Sequence, residues 1–196
     1  GLELPYVMQN DVNFSLLNTY LAPEISYESY KWKVRLSVPT SYNLHHIRDK
    51  KTDGDTTNNY VAATPSLYVR HQINAKMEIA AQLRYSLTPP KASTYISGLM
   101  MTDFRNLRMD TPITEYNDTR SVTMTFKYRN PITSLFFNLT GQYEWSSNPY
   151  MTNQLFMDNY ILSTISPTRN DDHSLILNGS ISKGLMSGRM TIGLDA

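Results

Sequence analysis

From Trp32 to Leu44 the chain alternates. Trp32, Val34, Leu36, Val38, Thr40, Tyr42 and Leu44 fall on one face of an extended segment; Lys33, Arg35, Ser37, Pro39, Ser41 and Asn43 fall on the other. A period of two marks a strand with unlike faces, and roughly a dozen residues exceed the ~5–6 of an ordinary globular strand. About ten strand residues tilted by ~45° span the ~25 Å apolar band of an outer-membrane barrel. The pattern recurs. Leu17, Thr19, Leu21, Pro23, Ile25 and Tyr27 precede a short Ser29-Tyr30-Lys31 link, which predicts a hairpin over about 15–44. Val61 to Ile73 and Met77 to Leu87, reversing at Asn74-Ala75, predict a second over about 61–87. Val122 to Tyr128 and Leu135 to Trp145, joined at Asn130-Pro131, predict a third over about 120–146. Leu175 to Ile181 and Met190 to Leu194 predict a fourth over about 173–196.

The expected fold is all-β: an antiparallel up-and-down meander of about eight long strands in four hairpins, part of a transmembrane β-barrel, with no helix. Residues 1–14 read as a lead-in and 15–196 as barrel segment, with long loops at about 45–60, 88–118 and 147–172. Pro23, Pro39 and Pro65 belong at edges or bulges, since proline removes a ladder donor. Loops this long are uncommon in compact soluble domains, and short turns facing long loops are the asymmetry of outer-membrane barrels.

Alternation alone does not say which face is buried. A self-contained soluble β-barrel or β-sandwich, serving as a ligand-binding or adhesion module, would turn the aliphatic face inward. The aromatics favour the bilayer. Tyr27, Trp32 and Tyr128 lie near the short turns, and Tyr42, Tyr85, Tyr143 and Trp145 lie towards the long loops, as two girdles flanking an aliphatic band. The opposite face, with Lys33, Arg35, Arg70, Glu78, Arg84, Lys127, Arg129 and Glu144, would then line a lumen.

Composition narrows the chemistry. A net charge of +1, with 18% charged residues, gives no electrostatic case for nucleic acid. With no Cys there are no disulfides and no thiolate sites. No apolar run approaches ~18 residues, which excludes a transmembrane helix but not barrel strands. The opening GLELPYVMQND lacks the basic-then-apolar pattern of a signal peptide, as expected of a mature or internal piece. His45 and His46 are adjacent, so on a strand they point to opposite faces, and no H-x-x-x-H pattern supports a metal. The stretch Asp49–Asp55 lacks the register and closing Glu of a calcium loop. The sequons at Asn13, Asn117, Asn138 and Asn178 would be coincidental were the protein bacterial. No phosphate loop, nucleophile elbow or poised carboxylate pair appears, so neither an enzyme nor a cofactor is expected. Tyr95, Phe104, Tyr150 and Phe156, in the long loops, are candidates to meet a substrate or partner; local loop packing is the ordinary role for each.

LLNTYLAPEISYESYKWKVRLSVPTSYNL, the Pro89-Pro90 opening of a long loop, KYRNPITSLFFN and LNGSISKG together resemble the barrel of Bacteroidetes TonB-dependent receptors and related large outer-membrane β-barrel proteins. The likeness rests on strand wording, turn placement and loop order over nearly the whole chain. It implies location in the outer membrane and energised nutrient uptake. It implies as partners outer-membrane lipid, the parent's own plug domain, TonB and a surface lipoprotein. Such barrels commonly have 22 strands, and no plug or TonB-box segment reads out of this sequence. The chain is therefore expected to be a barrel fragment whose two open edges would pair with other copies, curl shut or aggregate if left alone.

Overall fold

The computed structural model describes residues 12–50, 54–89, 98–110, 115–185 and 190–195. Among them the only regular structure is strand. In chain order these are β1 (Val12–Leu21), β2 (Glu24–Glu28), β3 (Trp32–Ser37), β4 (Thr40–Asp49), β5 (Gly54–Ala63), β6 (Ser66–Asn74), β7 (Met77–Thr88) and β8 (Gly98–Met101). There follow β9 (Asn106–Asp110), β10 (Asn117–Asn130), β11 (Leu135–Asn148), β12 (Met151–Phe156), β13 (Ile161–Ser166), β14 (Asn170–Leu185) and β15 (Met190–Asp195). An eight-stranded sheet runs β15-β14-β11-β10-β7-β6-β3-β2. Smaller sheets run β1-β4-β5 and β12-β13-β9-β8.

The prolines interrupt strands without breaking the ladder. β2 pairs with β3 and β1 with β4 in one continuous register, from Glu28↔Lys33 through Leu21↔Thr40 to Val12↔Asp49. β3 with β6 and β4 with β5 likewise share one register. At each break the proline carbonyl still accepts across the sheet: Pro23 from Val38 N–H (3.0 Å), Pro39 from Thr64 N–H (2.8 Å) and Pro65 from Tyr85 N–H (3.0 Å). What proline removes is the reciprocal donor, and at Val38 the Thr40 hydroxyl supplies one to the orphaned carbonyl at 3.3 Å. The β1-β4-β5 sheet is thus an upward continuation of three strands of the wall.

One registered row fixes the geometry. Ile25, Leu36, Leu67, Leu83, Val122, Tyr143 and Leu175 lie side by side on β2, β3, β6, β7, β10, β11 and β14. From this row to the short-turn end is four residues on β3 (Leu36 to Trp32), six on β7 (Leu83 to Met77) and eight on β11 (Tyr143 to Leu135). The turn end therefore recedes by one residue per strand crossed. With ~3.3 Å rise per residue and ~4.8 Å between strands, strands whose turns share one level tilt by about 35°. That is the tilt and stagger of a barrel wall.

The short turns are built by local side chains. Ser29 N–H donates to the Trp32 carbonyl (2.7 Å) and its hydroxyl accepts from Trp32 N–H (3.2 Å). The Asn74 side-chain oxygen accepts from Lys76 and Met77 N–H at 2.8 and 2.9 Å. The β10–β11 turn ends on Ser134 in the left-handed region (φ 48°), and its carbonyl accepts from Gly184 N–H at 2.8 Å. A Cβ on Gly184 would lie 2.7 Å from that of Ser134, so only glycine permits this approach.

The wall has no core beneath it. Among the described residues the buried apolar side chains are Ala62, Pro149 and Ile165. Leu83 (46% exposed), Met124 (59%) and Leu177 (65%) stand open on the apolar face. The chain exposes 13,796 Å², against about 9,500 Å² expected of a folded soluble protein of its mass. A sandwich or small closed barrel would hide this face; here the sheet is a single layer.

The segments expected as long loops are more ordered than alternation suggested. In 45–60, β4 and β5 continue as paired strands, Leu44↔Asn59 out to Asp49↔Gly54. In 88–118 lie β8 and β9, and in 147–172 lie β12 and β13. The two segments join: β9 pairs with β13 in parallel, Asn106↔Ile161 to Met109↔Thr164. Residues 1–11 of the lead-in, 51–53 of the Asp49–Asp55 stretch, Pro90 and Tyr95 lie outside the described residues.

Candidate functional site

Two faces of the wall carry the candidate residues. On the polar face, oppositely charged side chains from five strands form one linked set. Lys33 Nζ lies 3.0 Å from Glu28, and Arg70 lies 3.9 Å from both Glu28 and Glu78. Lys127 completes it, 3.7 Å from Glu78. Alternation places them on one face and register places them near the short-turn end: Glu28 opposes Lys33, Lys33 opposes Arg70, and Glu78 opposes Lys127. The Glu28 carboxylate accepts a hydrogen bond from Lys33 Nζ at 3.0 Å, at the mouth of the turn.

Arg35 pairs with Glu24 at 3.2 Å. Beside that pair a depression of about 440 Å³ is lined by Arg35, Tyr68, Arg70, Gln82 and Arg84. Arg84 opposes Ser121, which opposes Glu144; two strands of ~4.8 Å spacing keep Arg84 and Glu144 apart. Glu144 instead accepts from the Gln142 amide at 3.4 Å. Arg129 lines a small hollow with Lys127 and Phe136 near the β10–β11 turn, outside the linked set. The set thus joins Lys33, Arg70, Glu78 and Lys127, and leaves Arg35, Arg84, Arg129 and Glu144 to other neighbours. Glu24 and Glu28 were not singled out from the sequence, although they share the polar face of their strand; only the register shows that they neutralise β3.

The apolar face carries the aromatics. Trp32 packs on His71, ring centres 4.0 Å apart, and Tyr27 stands exposed near the same turn. The Tyr128 hydroxyl accepts from the Asn130 amide at 3.2 Å. Towards the long connections Tyr143 bonds to His173 (3.0 Å) and lies 5.9 Å from Trp145, ring to ring. Tyr42 stands between Thr19 and Val61. Arg120, also unmarked in the sequence, lies on this face between Tyr85 and Trp145. The signal was available: Arg120 occupies the even-numbered series of β10 that holds Val122, Met124 and Phe126.

Beyond Tyr42, the three-stranded extension holds a packed group. His45 and Asn43 are buried, the His45 ring meets Phe14 and Tyr60 edge-on, and Tyr60 lies 4.0 Å from Tyr116. Burial pulls the His45 imidazole below its ordinary pKa and raises that of the Tyr60 phenol. His46, on the other face, contacts Asp55 at 3.2 Å. Among the described residues no group of three metal-ligating side chains comes together. Of the loop aromatics, Phe104 and Phe156 are exposed and Tyr150 is half-buried; Arg105 covers the Phe104 ring at 5.3 Å.

The sequence matches no protein-family model and no curated protein. In structure, the chain is similar to the siderophore receptor PirA from Pseudomonas aeruginosa, with a TM-score of 0.51 and 9% identity, over 93% of this chain and 43% of that one. It is similar also to the FrpB iron transporter from Neisseria meningitidis (F3-3 variant), with a TM-score of 0.50 and 15% identity, over 96% of this chain and 26% of that one. The chain spans less than half of either neighbour. At such identity the likeness bears on the fold alone, an all-β antiparallel wall.

Proposed function

We propose that this chain is a section of outer-membrane barrel wall belonging to a receptor that takes up a nutrient. The apolar face meets lipid, and Lys33, Arg35, Arg70, Glu78, Arg84, Lys127, Arg129 and Glu144 meet a water-filled or plugged lumen. The observation that carries this is the exposed apolar row from Ile25 to Leu175 on a sheet staggered by one residue per strand. A lipid-facing strand must satisfy all its backbone groups sideways and present apolar side chains outward, and the strands between the two edges, β2 and β15, do both. The soluble-module alternative needs a second layer over that row, and its surface excess argues against it.

In the parent protein, a plug would pack against the charged set on the polar face, and TonB would supply the energy for gating. The resemblance in strand wording supports a parent of the Bacteroidetes branch, in which a surface lipoprotein would be a partner. Iron carried by a siderophore is the substrate class that the two neighbours suggest.

Spin labels at consecutive positions of β7 test the wall. A label at Leu83 should relax with oxygen, which partitions into lipid, and one at Gln82 with a water-soluble nickel complex. Equal accessibility of both to the nickel complex would sink the reading. Uptake is tested separately, by the loss of ferric-siderophore transport on deleting the parent.

A further inference from the structure

Above the rung where Ser66 opposes Arg84 the wall divides. β7 runs on to Thr88 and keeps its partner β10, Thr88 opposing Asn117. β5, which continues β6 beyond Pro65, keeps only β4. The last bond between the two parts runs from Tyr85 N–H to the Pro65 carbonyl, at 3.0 Å. Beyond it β5 stays beside β7, with no ladder between them among the described residues. The result is a seam whose lips are two strand edges, and such edges are ordinarily paired or covered.

The extension on one side of this seam joins the wall along a line of prolines. Pro23, Pro39 and Pro65 lie at one level and face Val38, Thr64 and Tyr85 in turn. Each of these pairs makes one backbone bond where a ladder pair of its kind makes two, because proline has no N–H. Three weakened rungs in a row form a fold line, and above it β1, β4 and β5 make one sheet.

A pair of tyrosines closes the seam. Tyr60 of β5 continues the polar-face series of Ser66 and Ala62. It hydrogen-bonds Tyr116, just ahead of β10, with ring centres 4.0 Å apart. That contact ties the extension to the strand on the far side of β7. Behind it His45 packs edge-on against Tyr60 and Phe14, and the Asn18 amide donates to the buried Asn43. At the foot of the seam the wall is hollowed from both faces. The basic depression of about 440 Å³ on the polar face and an apolar groove of about 380 Å³ on the other share Ser66 and Arg84.

We propose that β1, β4 and β5 form a flap that swings on the proline line, held shut by Tyr60 and Tyr116, and that its opening parts the wall sideways between β5 and β7. Open, the seam joins the basic depression to the apolar groove. The flap follows from the sheet itself; that the opening leads from lumen to lipid rests on the wall reading.

The test is electron–electron double resonance on the intact parent protein in mild detergent. One pair of spin labels, at Val61 on the flap and Leu175 on the wall, reads the motion; a second pair, at Ile25 and Leu175, lies below the line and is the control. Tyr116→Ala should broaden the Val61–Leu175 distance and lengthen it by about one strand spacing, ~4.8 Å, leaving the control unchanged. Tyr60→Phe, which keeps the ring and loses the hydroxyl, should fall between. Adding Pro39→Val to Tyr116→Ala restores a donor towards Thr64 and should narrow the distribution again. Amide exchange in β4, the middle strand of the flap, should stay as slow as in wild type. An unchanged Val61–Leu175 distance in Tyr116→Ala overturns the flap. So does faster exchange throughout β4, which means that the extension melts instead of swinging. A distribution that Pro39→Val leaves wide overturns the proline line as the hinge. The Leu83 spin label separates the two claims. If it lies in lipid while Tyr116→Ala is silent, only the flap falls; if it lies in water, the wall reading falls and the side opening with it.

Discussion

The wall and the outer four-stranded sheet are both β-structure, yet they are made by different rules. In the wall, β10 and β11 hold thirteen paired positions without a slip, Asp118↔Ser147 to Asn130↔Leu135. Each strand there meets a neighbour close in sequence, so a tight turn sets the register and alternation does the rest. In the outer sheet the strands are four to six residues long. Their central pairing, β9 with β13, is parallel and joins positions more than fifty residues apart. Its β8–β9 turn is stiffened by Asp103, whose carboxylate accepts from Arg105 and Asn106 N–H at 2.9 Å each. The wall owes its shape to pattern; the outer sheet owes its shape to which distant segments happen to meet.

The comparison can be broken most sharply with one charge. Leu83→Arg, at the middle of the apolar row, should cost ~2–4 kcal/mol if that face meets the bilayer midplane. Leu155→Arg, equally exposed but in the outer sheet, should stay within ~0.5 kcal/mol, as surface changes do. Denaturant unfolding in lipid vesicles reads both, and similar costs would erase the distinction between the regions. Next in size is Ile165→Ala, which removes the buried apolar side chain of the outer sheet. About 2 kcal/mol, the low end for such truncations, should appear as faster hydrogen exchange in β12 and β13. The β7 and β10 amides should not change, and if they do the two regions fold as one.

Smaller effects sharpen the picture. A double-mutant cycle on Glu78→Gln and Lys127→Met should return ~0.2–1 kcal/mol, mostly lost at high salt, because both side chains are partly exposed. A coupling that survives 1 M salt would mean the pair is covered in the intact protein. The gentlest probe is pH. His45 lies in the extension beyond Tyr42, and burial depresses its imidazole. A depressed folded pKa leaves stability intact above the ordinary histidine value of ~6.5 and removes it as pH falls through the lower folded value. Acidification from neutrality should therefore loosen β1, β4 and β5 before the wall. Hydrogen exchange at pH 7 and pH 5 checks this, and His45→Phe should abolish the difference.

These contrasts explain what could be read in advance. The alternation from Trp32 to Leu44 was visible because every second residue repeats one choice, so a few exceptions do not hide it. Pro39 looked like an objection and was not one, because its carbonyl keeps the ladder that its nitrogen cannot serve. The continuation of β4 to Asp49 and of β5 from Gly54 leaves almost no hydrophobic period to read, because nearly all the residues there are polar. β13 falls in a segment expected as a long loop, and its parallel partner β9 leaves no local signal, since no turn joins the two. Arg120 escaped notice because single-residue chemistry gains meaning only when register sets Tyr85 and Trp145 beside it.

The stagger of the wall has a mechanical side. Every hydrogen-bonded row climbs ~3.3 Å for each ~4.8 Å travelled around the sheet. On the polar face, Lys33 and Arg70 share one such row, which runs on to Ala80, whereas Glu78 and Lys127 sit in a row two residues nearer the turns. The linked charges therefore step from row to row and keep one level, a collar at the turn end and not a thread.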